Sequence, residues 1–214
     1  MPSVAMQSMD QSLGADPYNL IITGVGGQGN VLASRLLGNM LMAQGFHVTI
    51  GETFGASQRG GSVMSHLRVS GQSDLSPQIP RGQAHLVVSL EPTEALRVLR
   101  EYGNESVYVL CNMRPIHAIG VISGEARYPE AEELKQWIGD LSRRAWFVNA
   151  TEVAMTMGNP IFGNILLVGA LAATGVLPLA RGHFETTIRR MVPADKVAAN
   201  LTAFDRGGQL VTQG

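Results

Sequence analysis

The sequence predicts one α/β domain: a doubly wound, mostly parallel sheet with helices on both faces. Three observations carry that expectation. Short apolar, β-branched runs alternate with helical patterns along most of the chain. A glycine-rich turn, Gly24-Val25-Gly26-Gly27-Gln28-Gly29, falls between the first such run and the first helical pattern. A hydrophobic fraction of 45% against 15% charged residues lets 214 residues bury a substantial core. The domain is expected over residues 17–206, with loose tails at 1–16 and 207–214.

Each element has its own signal. Asn19-Leu20-Ile21-Ile22-Thr23 reads as the first strand, and a helix follows the glycine turn from Asn30 to about Gln44. Gly45 closes that helix. Phe46-His47-Val48-Thr49-Ile50 supplies a second strand, so a first βαβ unit is complete by Ile50. Residues 51–61, with Arg59-Gly60-Gly61, read as a loop leading to a third strand over 62–69. After a Gly/Ser/Pro loop, Ala84-His85-Leu86-Val87-Val88-Ser89-Leu90 has the unbroken apolar character of a buried parallel strand. Glu91-Pro92-Thr93-Glu94 opens a helix to Tyr102, with Pro92 in the first turn, where its missing N–H costs nothing. Val107-Tyr108-Val109-Leu110 and Ala145-Trp146-Phe147-Val148-Asn149 are further strands, separated by an acid-rich helix start at 129–138. Residues 164–174 are small or apolar on every face, which fits a helix buried in the core or docked on a partner. The alternation of strand and helix predicts right-handed crossovers in an open sheet.

The glycine turn carries the first chemical signal. Gly24, Gly26 and Gly29 are spaced for a tight turn, close approach of backbone to a phosphate, and close helix–strand packing, a Rossmann-like arrangement. N–H groups at the helix start favour an anion. Gly27, Gln28, Asn30 and Ser34 are candidates for further contacts, while packing alone also accounts for the glycines. A nicotinamide site would want an acid near the end of the second strand, and Glu52 stands close to that distance. A stand-alone NAD(P)-dependent dehydrogenase and a non-catalytic nucleotide-binding scaffold are therefore alternative readings.

Charge and residue counts narrow the classes. Sixteen basic and 17 acidic residues give a net charge of −1, so nucleic acid and anionic membranes are not expected as partners. Few charges with 25 glycines and 10 methionines point to burial within an assembly. The single cysteine, Cys111, offers neither an internal disulfide nor the four thiolates of an iron–sulfur cluster, and its place after an apolar strand suggests an inert buried thiol. His47, His66, His85, His117 and His183 lack metal-ligand spacing, so no metal is expected. Ser57 and Ser62 lack a nucleophile-elbow context. The most apolar stretch, 161–179, is interrupted by Gly163, Asn164, Gly169, Gly175 and Pro178, and residues 1–16 lack a signal core, so a cytoplasmic protein is expected.

The glycine turn followed by Glu52-Thr53-Phe54-Gly55-Ala56-Ser57-Gln58-Arg59-Gly60-Gly61-Ser62 resembles the gamma domain of the pyruvate and 2-oxoacid ferredoxin oxidoreductases. Ser57-Gln58-Arg59-Gly60-Gly61-Ser62, with Ser65-His66-Leu67-Arg68 after it, is most similar to the indolepyruvate branch of that family. Pro80 with Ala84-His85-Leu86 is similar to a family segment that carries Asp where His85 stands. Gly163-Asn164-Ile165-Leu166-Leu167-Val168-Gly169-Ala170 resembles its Asn-containing helix, and residues 196–203, with Asn200, its closing helix. The likeness runs from Asn19 to Ala203.

The resemblance implies a small subunit, inactive alone, of a complex that oxidatively decarboxylates indolepyruvate or another arylpyruvate, reduces ferredoxin and releases an acyl-CoA. It implies that a large partner subunit holds thiamine diphosphate, Mg²⁺ and 4Fe-4S clusters, because this chain has no Gly-Asp-Gly motif with a downstream Asn. Glu52, Ser57, Gln58, Arg59, Gly60 and Gly61 are then expected to line the partner's active-site entrance. Arg59 would present its planar fork to a carboxylate or phosphate, or fix the interface by an ion pair. CoA phosphate is expected at Gly24, Gly26, Gly27, Gln28, Gly29 and Asn30.

Overall fold

In the computed structural model, which describes residues 13–54 and 61–212, the strands are β1 (Tyr18–Val25), β2 (His47–Phe54), β3 (Ser62–Ser70), β4 (Leu86–Ser89), β5 (Tyr108–Asn112) and β6 (Arg144–Val148). They form one sheet in the order β2-β3-β1-β4-β5-β6. β1, β4, β5 and β6 are parallel neighbours, whereas β3 runs antiparallel to both β1 and β2. The sheet is thus mixed but mostly parallel, as expected. The first βαβ unit is not closed as the sequence suggested: β3 is inserted between β1 and β2, so the two parallel strands never touch. β2 also runs past Ile50 to Phe54, because its register against β3 continues to the Phe54–Val63 pair.

The helices are α1 (Asn30–Met42), α2 (Pro92–Tyr102), α3 (Ile119–Ile122), α4 (Ala131–Asp140), α5 (Ala150–Thr156), α6 (Phe162–Thr174), α7 (Arg181–Met191) and α8 (Ala194–Thr212). Alternation along β1 sorts them into two layers, since successive side chains point to opposite faces. Leu20 and Ile22 join the core beneath α1, α6, α7 and α8; Ile21 joins the core beneath α2 and α4. Apolar side chains dominate both cores, which explains why the inner strands read as continuous hydrophobic runs.

The helix of small residues belongs to the domain's own core. Residues 164–171 of α6 are all buried, and a Cβ added to Gly169 would run into the Phe204 carbonyl of α8. Gly207 is equally tight against the Leu166 carbonyl. This corrects the C-terminal tail: residues 207–212 are the last turns of α8, and its paired glycines permit close helix contact instead of ending the helix. At the other terminus residues 1–12 lie outside the described residues, but Leu13 and Ala15 pack on the core and Asp16 accepts a hydrogen bond from the Gly71 N–H at 3.1 Å.

Strand β1 leads through α1 towards one side of the sheet, and β4 leads through α2 towards the other. Their carboxyl ends therefore flank a topological switch point, the place where open α/β sheets bind ligands.

Candidate functional site

The turn after β1 is stiffened by its own side chains. Gln28 Oε1 accepts the Val25 N–H at 2.7 Å, and its Nε2 donates to the Leu90 carbonyl at 3.1 Å, stitching the ends of β1 and β4 together. Gly24 is glycine because a Cβ there would lie 2.6 Å from Gln28 Oε1 and 2.9 Å from Asn30 Oδ1. Asn30 is buried and donates from Nδ2 to the Val63 carbonyl at 3.0 Å. Gly27 and Gly29 have φ of 101° and 87°, in the left-handed region that favours glycine. Gly29 also backs onto Asn164, whose Nδ2 would be 2.5 Å from an added Cβ and donates to the Gln28 carbonyl at 3.0 Å.

Most of the predicted phosphate contacts are therefore occupied with holding the turn. The Gly26 N–H donates to the Gly61 carbonyl at 2.8 Å, and the Ser34 hydroxyl to the Val31 carbonyl at 3.0 Å. What remains is backbone: among the described residues the N–H groups of Gly27, Gly29, Asn30 and Val31 have no backbone acceptor. Those of Gly29, Asn30 and Val31 are the orphan donors of a helix start, and that of Gly27 belongs to the turn before it.

Gly27 and Gly29 line a cleft of about 700 Å³ at the switch point. Leu90, the segment after β5 and the residues around the start of α6 complete its walls. Among the described residues Arg114 is the only charged residue of the lining, and no carboxylate of theirs faces the space. Arg114 also lines an adjoining cleft of about 630 Å³, which takes in Glu152 and Met155. Between the strand ends, Asn112 is locked: Nδ2 donates to the Leu90 carbonyl at 3.1 Å and to Thr151 Oγ1 at 2.9 Å, and Oδ1 accepts the Thr151 N–H at 3.3 Å. The Oδ1 atoms of Asn30 and Asn164 are buried acceptors without a partner among the described residues.

Two acids at the start of α2 complete the surroundings. Glu91 is fully buried, and its Oε2 accepts from Thr93 Oγ1 at 2.6 Å and the Glu94 N–H at 2.9 Å. Glu91 Oε1 accepts from the Tyr128 hydroxyl and, at 3.4 Å, from the Ile116 N–H. Burial first, and then the bond to Glu91, push the Tyr128 phenol far up, so it stays a donor at neutral pH. Cys111 is fully buried, and burial with nearby Glu91 pushes its thiol well up, which makes it inert as expected. Glu94 Oε2 accepts from Ser62 Oγ at 2.5 Å, and its Oε1 accepts from Arg97 Nε at 3.2 Å.

The second predicted loop is only partly in view. Ser57, Gln58, Arg59 and Gly60 lie outside the described residues. Gly61 sits against the glycine turn through the Gly26 bond. Glu52 is an exposed residue within β2, opposite Ser65, and not in a loop after the strand. With β3 between, β2 lies two strand spacings from β1, roughly 9–10 Å. Glu52 is thus too far from the glycine turn for the paired role it would need in a nicotinamide site.

The histidines serve the body of the fold. His85 Nδ1 accepts the Asn19 N–H at 2.9 Å and His66 Nδ1 the Ile79 N–H at 3.3 Å, and burial lowers the pKa of both. Among the described residues no three His, Cys, Asp or Glu side chains come together as a metal site, and no helix is long and apolar enough to cross a membrane. Sequence reasoning missed Arg114, Asn112 and Tyr128. A signal existed for the first two, since Asn112-Met113-Arg114-Pro115 directly follows a parallel strand at its ligand-binding end.

The fold and cleft define an open α/β protein with an anion-compatible site at its switch point. The chain belongs to the pyruvate ferredoxin/flavodoxin oxidoreductase family, whose model matches residues 19–210. It is 39% identical over 191 residues to the indolepyruvate oxidoreductase subunit IorB of Pyrococcus horikoshii, covering 89% of this chain and 94% of that protein. In structure it is similar to pyruvate oxidoreductase subunit PORC of Thermotoga maritima, with a TM-score of 0.67 at 20% identity over 92% of this chain and 97% of that one. It also matches part of the 2-oxoglutarate:ferredoxin oxidoreductase of Magnetococcus marinus, solved with 2-oxoglutarate, coenzyme A and succinyl-CoA. The TM-score there is 0.70 at 15% identity, over 94% of this chain and 32% of that one. The chain is a subunit of a 2-oxoacid ferredoxin oxidoreductase complex.

Proposed function

We propose that the complex acts on indolepyruvate or a related arylpyruvate with CoA, and that this chain contributes the cleft that receives the CoA phosphates. The observation that carries the reading is the cleft lining: among the described residues Arg114 is its one charge, and the backbone N–H groups of Gly27 and Gly29, which also line it, have no backbone acceptor. A guanidinium and a helix-start turn together suit a diphosphate. The volume of about 700 Å³ lies within the range of small-molecule sites.

The chain's own residues do not fit the iron–sulfur clusters the family uses. One buried cysteine cannot ligate a 4Fe-4S cluster. Thiamine diphosphate, Mg²⁺ and the clusters, which supply decarboxylation and electron transfer to ferredoxin, accordingly belong to the large subunit in this reading. Ile161 and Met155, exposed at the linings of the two adjoining clefts, and Ile119 and Ile122, exposed on the segment that carries Arg114, are large apolar side chains that support docking of that subunit there. Glu52, Ser57, Gln58, Arg59, Gly60 and Gly61 then line its entrance. The placement of Glu52 beyond β3 disfavours the dehydrogenase alternative.

The test is to purify the complex and assay arylpyruvates with CoA and a low-potential acceptor, with and without Arg114→Gln. The reading expects acyl-CoA formation and a KM for CoA raised about tenfold in the variant, the usual scale for losing one charge-assisted contact. Arylpyruvate turnover absent from the intact complex would remove the substrate assignment, and an unchanged KM would remove the cleft assignment.

A further inference from the structure

Residues 113–130, between β5 and α4, make a long excursion with little packing of its own. None of the α3 residues is buried, and Ile119 and Ile122 are 84% and 74% exposed. Internal bonds such as Ala126 N–H to the Gly120 carbonyl, 2.9 Å, shape the excursion but do not attach it to the domain. Among the described residues, apart from the bridges of Arg127 to the adjoining start of α4, the hydrogen bonds from residues 114–128 to the rest of the domain end on one atom, Glu91 Oε1.

The two donors on that atom come from opposite ends of the excursion. Ile116 lies two residues after Arg114, and Tyr128 lies just before α4. The His117 and Tyr128 rings meet at 5.0 Å between centroids, closing the base. The other carboxylate oxygen is committed to the start of α2 through Thr93 and Glu94. Glu91 therefore accepts four hydrogen bonds, two from the rigid helix start and two from the excursion. A carboxylate suits this task because it accepts on both oxygens and has no donor to place against the Ile116 N–H.

We propose that Glu91 and Tyr128 are positioning residues: they clip the segment that carries Arg114 over the cleft, and so set its affinity for an oxyanion. The clip itself stands on the geometry alone; its effect on CoA rests on the functional reading above. Tyr128→Phe is the clean probe, because it removes one donor, keeps the ring against His117 and leaves the α2 cap untouched. Glu91→Gln is the second, since its amide would face the Ile116 N–H on one side or the Glu94 N–H on the other.

Two measurements on the assembled complex separate the two layers. Hydrogen exchange at residues 114–126 should quicken by about tenfold in Tyr128→Phe, the size expected for one lost hydrogen bond to a charged acceptor, with the sheet unchanged. CoA titration should show weaker binding in Tyr128→Phe but no further weakening when the change is made in Arg114→Gln, because the clip acts through Arg114. Unchanged exchange at 114–126 in both Tyr128→Phe and Glu91→Gln overturns the clip. Equal weakening of CoA binding with and without Arg114 overturns its action through that residue. Faster exchange with unaltered CoA binding in every variant, Arg114→Gln included, keeps the clip and removes the CoA assignment.

Discussion

On one wall of the cleft, the glycine turn is fixed by many small commitments: two positive-φ glycines, the two-ended Gln28 amide, the buried Asn30 and Asn164 amides, and the Gly26–Gly61 bond. On the other wall, residues 114–128 carry the exposed Ile119 and Ile122 and, among the described residues, are tied to the domain beyond α4 through a single buried carboxylate. The first wall is rigid because many side-chain and backbone bonds share the task of holding it. The second has its shape concentrated at one point, which makes it cheap to alter without disturbing the core. The difference predicts that substitutions on the first wall damage stability, while those on the second alter binding and leave stability alone.

The largest test of that contrast is Gly29→Ala. It forces a Cβ into the left-handed region and onto Asn164, and should cost about 3 kcal/mol in chemical denaturation, adding left-handed strain to overpacking. A cost near zero would show that the turn relaxes freely. Gln28→Ala should come next, at about 2 kcal/mol, because it leaves the Val25 N–H without its partner and removes one of the two donors to the Leu90 carbonyl.

A smaller effect should come from pH, and it should arise in the sheet and not at either wall. His66 and His85 have folded pKa values below the unfolded value of about 6.5 because burial disfavours their charged forms. The unfolded chain thus binds more protons in that window. Their contribution is intact above about pH 6.5 and declines as pH falls through the lowered folded values. Thermal unfolding at pH 7.5 and 5.5 should show the drop, and His85→Asn, which keeps an acceptor for Asn19, should flatten it. A drop of full size in that variant would place the effect elsewhere. Smallest of all, Arg114→Gln and the pair Ile119→Ser with Ile122→Ser should shift stability by no more than about 0.5 kcal/mol, as exposed positions do.

The sequence made the sheet legible where burial dictated composition: β1, β4 and β5 are buried on both faces, so their apolar runs could be read directly. Strand order was less accessible, because a hairpin such as β2–β3 has the same composition whether or not its second strand slips beside β1. Glu52 was misplaced for that reason. The tail expected at 207–214 hid the last turns of α8, since only the approach of α6 explains glycine at 207. Glu91 and Pro92 were recognisable as a helix opening, but the second task of Glu91 depends on residues 25 and 37 positions away, beyond any local pattern. The glycine turn was found, whereas its division into spent and free donors required the neighbouring strands.

Strand β3 has one further consequence. A glycine turn of this spacing usually works in concert with the strand end beside it, and together they measure the length of a ligand. By separating β1 from β2, one antiparallel strand changes that ruler while leaving the turn intact. In the functional reading proposed here, a ligand seated at Gly27 and Gly29 would instead be read towards β4 and β5, beyond which Arg114 stands. On that reading, ligand choice is written in the order of the sheet as much as in the residues of the turn.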